Sequence, residues 1–134
     1  MFNIASLGTI LGVWAHPDDE AFSMAGIMAA ACQNGQTVAC VTATRGEKGV
    51  QDEARWPEAA LGKIRENEMG DCLKTIGCRD HTWLNYIDGS LHETDTTQAV
   101  AKIVEVIKRV QPDSIFTFGL DGYTGHPDHR TISH

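Results

Sequence analysis

Two short histidine-proline-aspartate motifs near opposite ends of the chain constrain the fold more than any other feature of the sequence. Residues 15–20 read Ala-His-Pro-Asp-Asp-Glu, and residues 125–129 read Gly-His-Pro-Asp-His. Each motif follows an apolar run and precedes a helical pattern, and its proline stiffens the turn between the two. Imidazole and carboxylate groups at two such turns indicate one site, which the fold must assemble from distant parts of the chain.

Strand and helix patterns alternate between these motifs. Four apolar segments read as strands, the third of them weak and short: residues 9–15, 37–42, 81–84 and 114–118. Apolar residues at helical spacing predict a helix after each of the first three strands, ended by Gly35, Gly77 and Pro112. This α/β order predicts a three-layer fold, in which a parallel sheet with right-handed crossovers carries helices on both faces.

The order of the strands decides whether the motifs can meet. Ligands of an open parallel sheet collect beyond the carboxyl ends of the strands, where the strand order reverses. If the first and fourth strands are neighbours, as in the order 3-2-1-4, the loops that follow them share one crevice. His16, Asp19 and His129 can then meet although more than a hundred residues separate them.

The length predicts one domain, residues 1–134. The chain ends five residues after His129, where we expect a helix to begin. A parallel sheet that ends on its fourth strand leaves an edge and an apolar face poorly covered. We therefore expect a fold that is truncated at its C-terminus or completed by another chain.

Composition excludes several classes of function. The 42% hydrophobic and 22% charged content is typical of a globular protein, and the net charge of −7 disfavours nucleic acid as a partner. The longest apolar runs fall far short of the ~20 residues that span a membrane, and residues 1–8 lack a basic signal-peptide start. We predict a cytoplasmic protein with no nucleic-acid partner and no membrane segment. The sequence is also compatible with a homo-oligomer.

Four cysteines lie among apolar neighbours without the spacing of a zinc ribbon or the density of a disulfide scaffold. They are Cys32, Cys40, Cys72 and Cys78. This pattern favours small buried hydrophobic residues in a reducing compartment over a catalytic role.

The two motifs carry the candidate metal ligands. His16 and Asp19 are three positions apart, as are His126 and His129, so on a turn that enters a helix each pair can project toward one point. Two imidazoles and one carboxylate with an open coordination position are the arrangement that zinc hydrolases use to activate water. A histidine of the second motif should complete the site, and spacing leaves His126 and His129 as alternatives. The motifs therefore predict a metal-dependent hydrolase.

The remaining acidic residues of the motifs suggest distinct roles. Asp18 is the candidate general base, because a carboxylate beside a metal can accept the proton of a bound water; the alternative is an anion that complements the helix dipole. For Glu20 we favour the second role. Asp128 suits a position behind a neighbouring imidazole, whose tautomer it would fix by accepting a hydrogen bond.

Together with three further motifs, these sequences resemble the PIG-L/LmbE family of zinc-dependent de-N-acetylases, over essentially the whole chain. The further motifs are Thr-Arg-Gly-Glu at 44–47, Arg65-x-x-Glu68 and Tyr86-x-Asp88-Gly89-x-Leu91. The resemblance implies a Rossmann-like fold and hydrolysis of an N-acetyl group from an amino sugar or its conjugate. Residues 1–134 would be the N-terminal, metal-site-bearing portion of such a deacetylase. The implied cofactor is Zn²⁺, with Fe²⁺ as the alternative.

The resemblance also implies metal ligation. The positions that match the family's ligands are His16, Asp19 and His129, and the position that matches its base is Asp18. Some family members carry a tyrosine where this chain has Thr124.

Three other positions, His126, Arg65 and Asp88, match residues around the substrate. His126 would stabilise the oxyanion as a protonated imidazole, and Asp128 would keep it protonated and oriented. Arg65 and Asp88 match positions associated with the substrate pocket.

Three other functions use similar residues. A metal-dependent phosphoesterase would need more bridging carboxylates and a basic phosphate clamp, for which the chain offers only Arg45 and Lys48 nearby. A mononuclear iron oxygenase also uses two histidines and one carboxylate, but the alternating strand and helix pattern gives it little support. The third alternative is a non-catalytic module that binds a metal or a sugar.

Overall fold

Four parallel strands alternate with helices in the computed structural model, which describes residues 3–50 and 52–134. The strands are β1 (Ile10–Trp14), β2 (Val38–Thr42), β3 (Asp80–Trp83) and β4 (Ser114–Phe116). The helices are α1 (Asp19–Gln33), α2 (Glu58–Ile76), α3 (Thr96–Val110) and α4 (Pro127–Ser133), with short 3₁₀ segments at Ile4–Leu7 and Leu91–Glu93. The predicted strands and the three predicted helices are confirmed, with small differences at their ends.

The sheet order is β3-β2-β1-β4, the order that allows the two motifs to meet. The strand β1 pairs with β2 from Ile10–Val38 to Trp14–Thr42, and with β4 from Ile10–Ser114 to Gly12–Phe116. All pairings are parallel, so every strand ends at the same edge of the sheet. The loops that follow β1 and β4 are therefore neighbours.

Helices cover both faces of the sheet. Thr42 of β2 points toward α2, where its hydroxyl lies 3.7 Å from the sulfur of Met69. Thr82 of β3, the register partner of Val41, points to the opposite face and lies 3.3 Å from Nη2 of Arg109 on α3. Because α1 contacts α2, these two helices share one face and α3 covers the other. The three-layer prediction is confirmed.

The central strands form the core. Every residue of β1 and β2 is buried, as expected for parallel strands covered on both faces, whereas β3 and β4 are only partly covered. A side chain at Gly12 would not fit, since a Cβ there would lie 2.5 Å from the indole nitrogen of Trp14.

The helix expected to begin at the end of the chain is already present. It is α4, which starts at Pro127 inside the second motif, with His126 at its N-cap. A truncated fold stays a prediction. Within the described ranges, no helix is both long and apolar enough to cross a bilayer.

The cysteines follow the predicted pattern in part. Cys40 and Cys78 are buried, whereas Cys32 and Cys72 are half-buried, and all four are free thiols. None of the four lines the cavity that the residues of the two motifs form beyond the carboxyl ends of the strands.

Glu20 differs from its predicted role as an anion at the start of a helix. Its side chain is fully buried in the first turn of α1, and neither carboxylate oxygen has a hydrogen-bond partner among the described residues. Burial, followed by the nearby charges of Asp19 and Asp18, raises the pKa of Glu20 to about 7. A helix dipole contributes roughly 0.3–1 kcal/mol, less than the several kcal/mol that burying an unpaired charge costs. Glu20 thus lies in the first turn of the helix as predicted, but burial outweighs the helix dipole there and favours the neutral carboxyl.

The raised pKa of Glu20 predicts a pH-dependent stability. The favourable contribution of the protonated carboxyl is complete below the unfolded value of 4.5 and is lost as the pH rises through about 7. Between these values, the metal-free protein should lose up to about 3 kcal/mol of unfolding free energy that the Glu20→Gln variant keeps. Urea unfolding at a series of pH values measures both profiles. Glu68→Gln, on the exposed part of α2, is the control; parallel profiles for wild type and Glu20→Gln would contradict the prediction.

Candidate active site

The loops beyond the carboxyl ends of the strands enclose a cavity of about 670 Å³. His16 reaches it from the loop after β1, Lys48 from the loop after β2, Asp88 from the loop after β3 and His129 from α4. The sheet order therefore brings both motifs to one cavity, as the sequence predicted for neighbouring first and fourth strands.

The three side chains predicted as metal ligands converge at the base of this cavity. Nδ1 of His16 lies 3.1 Å from Nε2 of His129 and 3.7 Å from Oδ2 of Asp19, and Nε2 of His129 lies 3.2 Å from Oδ1 of Asp19. Tetrahedral zinc with ligands at 2.0–2.1 Å separates neighbouring ligand atoms by about 3.3 Å. We call His16, Asp19 and His129 the ligand triad.

The hydrogen bonds around the triad show that its converging atoms are acceptors. Nδ1 of His129 lies 3.1 Å from the carbonyl oxygen of Gly122, so Nδ1 carries the proton and Nε2 presents a lone pair. Nε2 of His16 faces two carboxylates, so Nδ1 of the neutral ring presents a lone pair as well. With both rings neutral, two ring nitrogens and a carboxylate oxygen thus face one another without a donor, an arrangement that fits a bound cation.

The electrostatic surroundings of His16 also favour a positive charge. Burial lowers the pKa of His16, but hydrogen bonds to Asp128 and Asp88 and the charges of Asp88 and Asp19 outweigh it and raise the pKa to about 9. A proton therefore stabilises this cluster when no metal is present. The donor set of two imidazoles and one carboxylate is suited to Zn²⁺ or Fe²⁺.

His126 was the alternative ligand. Its ring and those of His16 and His129 each offer a nitrogen within 4.8 Å of the others, but His126 is exposed where His129 is buried. Nδ1 of His126 accepts a hydrogen bond from the backbone N–H of Asp128 at 3.2 Å. Burial and the charge of His16 lower the pKa of His126. The hydrogen bond accepted at Nδ1 and the lowered pKa both favour a neutral ring with its proton on Nε2 over the imidazolium that the family resemblance implies.

The backbone of the first motif fixes Asp19 and strains Asp18. The carboxylate of Asp19 accepts hydrogen bonds from the N–H groups of Ala15, at 3.2 Å, and His16, at 2.8 Å. Asp18 has a φ of 92°, a left-handed conformation that non-glycine residues rarely adopt. Such strain is typical of functional turns that the surrounding structure holds in place.

Arg65 holds this turn. Its guanidinium donates to the carbonyl oxygens of Pro17, at 2.7 Å, and Gly46, at 2.8 Å, and Nη2 lies 3.0 Å from Oδ2 of Asp18. Arg65 also lines the cavity, as its predicted place in the substrate pocket requires. Because its guanidinium makes three contacts within the protein, Arg65 mainly supports the Asp18 carboxylate.

Asp88 and Asp128 both face Nε2 of His16, and Asp88 also lines the cavity. Asp128 lies behind a neighbouring imidazole, as predicted, but the imidazole is that of His16, whose Nε2 is 3.1 Å from Oδ2 of Asp128, and not that of His126. Asp88 was predicted to contact substrate, and its Oδ1 lies 3.0 Å from the same nitrogen. Burial is the largest effect and raises the pKa of each carboxyl, but the hydrogen bond and charge of His16, together with the backbone N–H donors, outweigh it and lower the pKa of both.

Glu47 is a supporting residue that the sequence analysis left undecided. Its Oε1 accepts a hydrogen bond from the backbone N–H of Asp88 at 2.9 Å, and its Oε2 is buried without a partner among the described residues. The neighbouring Lys48 donates its backbone N–H to Asp88 at 3.0 Å. The position of this loop after a strand was the available signal, but it does not distinguish a buried glutamate from a solvated one.

The fold and this site define a class: a Rossmann-like parallel α/β protein with a buried His-Asp-His cluster. The sequence profile of the PIG-L family, described as GlcNAc-PI de-N-acetylase, matches residues 11–134. The chain belongs to this family, whose deacetylases are metal-dependent.

Individual relatives agree with this assignment. The 1D-myo-inositol 2-acetamido-2-deoxy-alpha-D-glucopyranoside deacetylase of Kineococcus radiotolerans is 32% identical over 92% of this chain and 42% of its own length. The N,N'-diacetylchitobiose deacetylase of Pyrococcus horikoshii superposes with a TM-score of 0.84 and 27% identity, over 98% of this chain and 50% of its own. This chain therefore spans about half the length of these relatives.

A third similarity is in fold alone. GalB, the 4-carboxy-2-hydroxymuconate hydratase of Pseudomonas putida KT2440, superposes with a TM-score of 0.80 at 22% identity, over 95% of this chain and 53% of its own. A function for this chain must therefore be argued from its site.

The ligand triad predicts stabilisation by zinc. At a free zinc concentration of 100 times Kd, binding should raise the unfolding free energy by about 2.7 kcal/mol, measured as a rise in Tm. His129→Ala removes one ligand and should abolish most of this rise. His92→Ala, an exposed histidine outside the cavity, is the control and should respond like wild type. An undiminished rise in His129→Ala would show that zinc binds elsewhere.

Proposed function

We propose that this protein is a metal-dependent hydrolase that removes the N-acetyl group of an amino sugar or an amino-sugar conjugate. The convergence of the ligand triad in an open cavity supports the metal dependence. Membership of the PIG-L family and the substrates named for the relatives support the acetamide as the bond that is cleaved. Because the chain spans about half of those relatives, the activity of the 134-residue form is itself part of the proposal.

His16, Asp19 and His129 would hold the cation, with Zn²⁺ as the proposed ion. When bound, the cation supplies Lewis acidity to the acetyl carbonyl and lowers the pKa of a water molecule to about 7. The residues of the chain then have two tasks, which are to move a proton and to stabilise the negative charge that develops on the carbonyl oxygen.

Asp18 is the proposed proton carrier. Arg65 holds Oδ2, while Oδ1 has no hydrogen-bond partner among the described residues and belongs to a side chain that lines the cavity. Oδ1 would accept a proton from water as the oxygen of that water bonds to the acetyl carbon. When the C–N bond breaks, the same proton would pass to the amine nitrogen, which leaves as the free amine, and the acyl group leaves as acetic acid, which releases its remaining proton to solvent and becomes acetate.

His126 is the proposed donor to the oxyanion. Its Nδ1 already accepts the Asp128 N–H, so its Nε2–H is available to donate. A neutral imidazole fixed in this way can stabilise a developing oxyanion without carrying a charge before the reaction. This role replaces the protonated imidazole of the sequence analysis.

Three predictions from the sequence are still untested: the substrate contacts, the location and the oligomeric state. Arg65 and Asp88 as substrate contacts are less favoured than roles inside the protein, because both side chains are engaged by other residues of the chain. The cytoplasmic location and the oligomeric state stay predictions.

Acetate release tests the function directly. The zinc-loaded chain is incubated with N-acetylglucosamine, N,N'-diacetylchitobiose and a glucosaminyl-inositol N-acetyl conjugate, and acetate and free amine are measured. We expect equal amounts of both from at least one substrate, and none after the metal is removed with a chelator. A full metal complement without acetate would favour the non-catalytic binding module.

Replacing the base should separate catalysis from binding. Asp18→Asn keeps the size of the side chain but cannot accept the proton, so we expect turnover to fall by roughly 10²–10⁴-fold while zinc stoichiometry stays unchanged. The control is Asp71→Asn, an exposed substitution on α2. Near-normal turnover in Asp18→Asn would refute the assignment of the base.

A further inference from the structure

The two nitrogens of His16 face opposite surroundings. Nδ1 points to His129 and Asp19 within the ligand triad. Nε2 lies 3.0 Å from Oδ1 of Asp88 and 3.1 Å from Oδ2 of Asp128, so a single N–H faces two carboxylates. One acceptor is enough to fix a tautomer, and the second carboxylate therefore needs another explanation.

Asp128 is fixed independently of His16. Its side chain is fully buried in α4, and its oxygens accept hydrogen bonds from the backbone N–H groups of Gly89, at 2.7 Å, and Leu91, at 3.1 Å. Both donors belong to the segment after β3, so Asp128 ties α4 to that segment as well as to His16.

Asp88 is fixed in a similar way from the other side. It is 5% exposed, and its Oδ2 accepts the backbone N–H of Lys48 at 3.0 Å while Oδ1 faces His16. Its own backbone N–H donates to Glu47 at 2.9 Å. Both carboxylate oxygens are thus engaged within the protein, which leaves Asp88 poorly placed to bind a substrate hydroxyl.

We propose that Asp88 and Asp128 act together as a two-carboxylate clamp on Nε2 of His16, and that the clamp sets the affinity of the ligand triad for its metal. Two fixed anions polarise one N–H and push electron density toward Nδ1, which makes the imidazole a stronger donor. Both residues are therefore positioning residues that act through His16. The inference rests on the metal site of the proposed function, but it gives Asp88 and Asp128 roles that the family resemblance does not.

Zinc affinity tests the clamp without reference to catalysis. Competition with a chromophoric chelator at fixed pH measures Kd for wild type, Asp88→Asn and Asp128→Asn. Each isosteric substitution removes one charge, and loss of such a partner typically weakens metal binding by roughly 10–100-fold. Asp71→Asn, which also removes one charge but lies exposed on α2, should keep the wild-type Kd.

Cobalt provides a spectroscopic readout of the same contact. In the Co²⁺-loaded protein, the Nε2 proton of His16 should give a paramagnetically shifted resonance that is present in H₂O and absent in D₂O. In Asp88→Asn this resonance should move and should exchange faster with water, because the proton has lost a partner. A residue that only supported the fold would leave the resonance in place.

Separate measurements of the zinc Kd and the substrate KM distinguish a role of Asp88 in the clamp from a role in substrate binding. With saturating metal, Asp88→Asn should keep the KM of wild type while its zinc Kd rises. An unchanged zinc Kd with a raised KM would overturn the proposal and restore Asp88 to the substrate pocket. If Asp128→Asn does not fold, Asp88→Asn alone decides, since Asp88 lies at the cavity wall. Failure of the clamp would leave acetate release intact, whereas a working clamp without acetate release would contradict the proposed function alone.

Discussion

The backbone pairing of β1 with β4 is the contact on which the rest of the site depends. It joins segments from opposite ends of the chain, and side chains reinforce it where Thr117 donates to the carbonyl of Val13, 104 residues away, at 2.9 Å. The entropy cost of closing so long a loop grows only slowly with its length, so a few paired residues and a buried strand can offset it. Because both strands run the same way, the pairing delivers His16 and His129 to the same edge of the sheet.

The turn after β1 shows how the structure maintains a strained backbone at this edge. A left-handed non-glycine residue costs roughly 1–3 kcal/mol, and Asp18 adopts that conformation directly between two ligands. Arg65 compensates by binding the Pro17 carbonyl and the Asp18 carboxylate from α2. The same guanidinium reaches Gly46, where a Cβ would collide with it, so the loop after β2 needs a glycine at this point. One arginine thereby connects two loops and a helix around the candidate base.

The periodicity of the sequence predicted the strands and helices, and rules about parallel sheets then indicated that the two motifs meet if the strand order is 3-2-1-4. The choice of His129 over His126 as the third ligand came from the family resemblance and not from these rules. The same rules could not predict the partner of Asp128. A position in the first turn of a helix does not say to which side the carboxylate points, and here α4 directs it away from His126 and toward His16. The burial of Glu20 was not predicted, for a related reason. Its place at a helix start suggested an anion that complements the helix dipole, whereas its complete burial follows from tertiary packing that helix periodicity does not specify.

Backbone amides explain why the contacts of the acidic residues are harder to predict than the residues themselves. Asp19 is held by the N–H groups of its own turn, Asp88 by the N–H of Lys48, and Asp128 by those of Gly89 and Leu91. A backbone donor carries no side-chain signature, so its position follows from the path of the loop and not from the residue type. The sequence therefore specifies carboxylates at the right edge of the sheet, and the loop conformations select which imidazole nitrogen each of them faces.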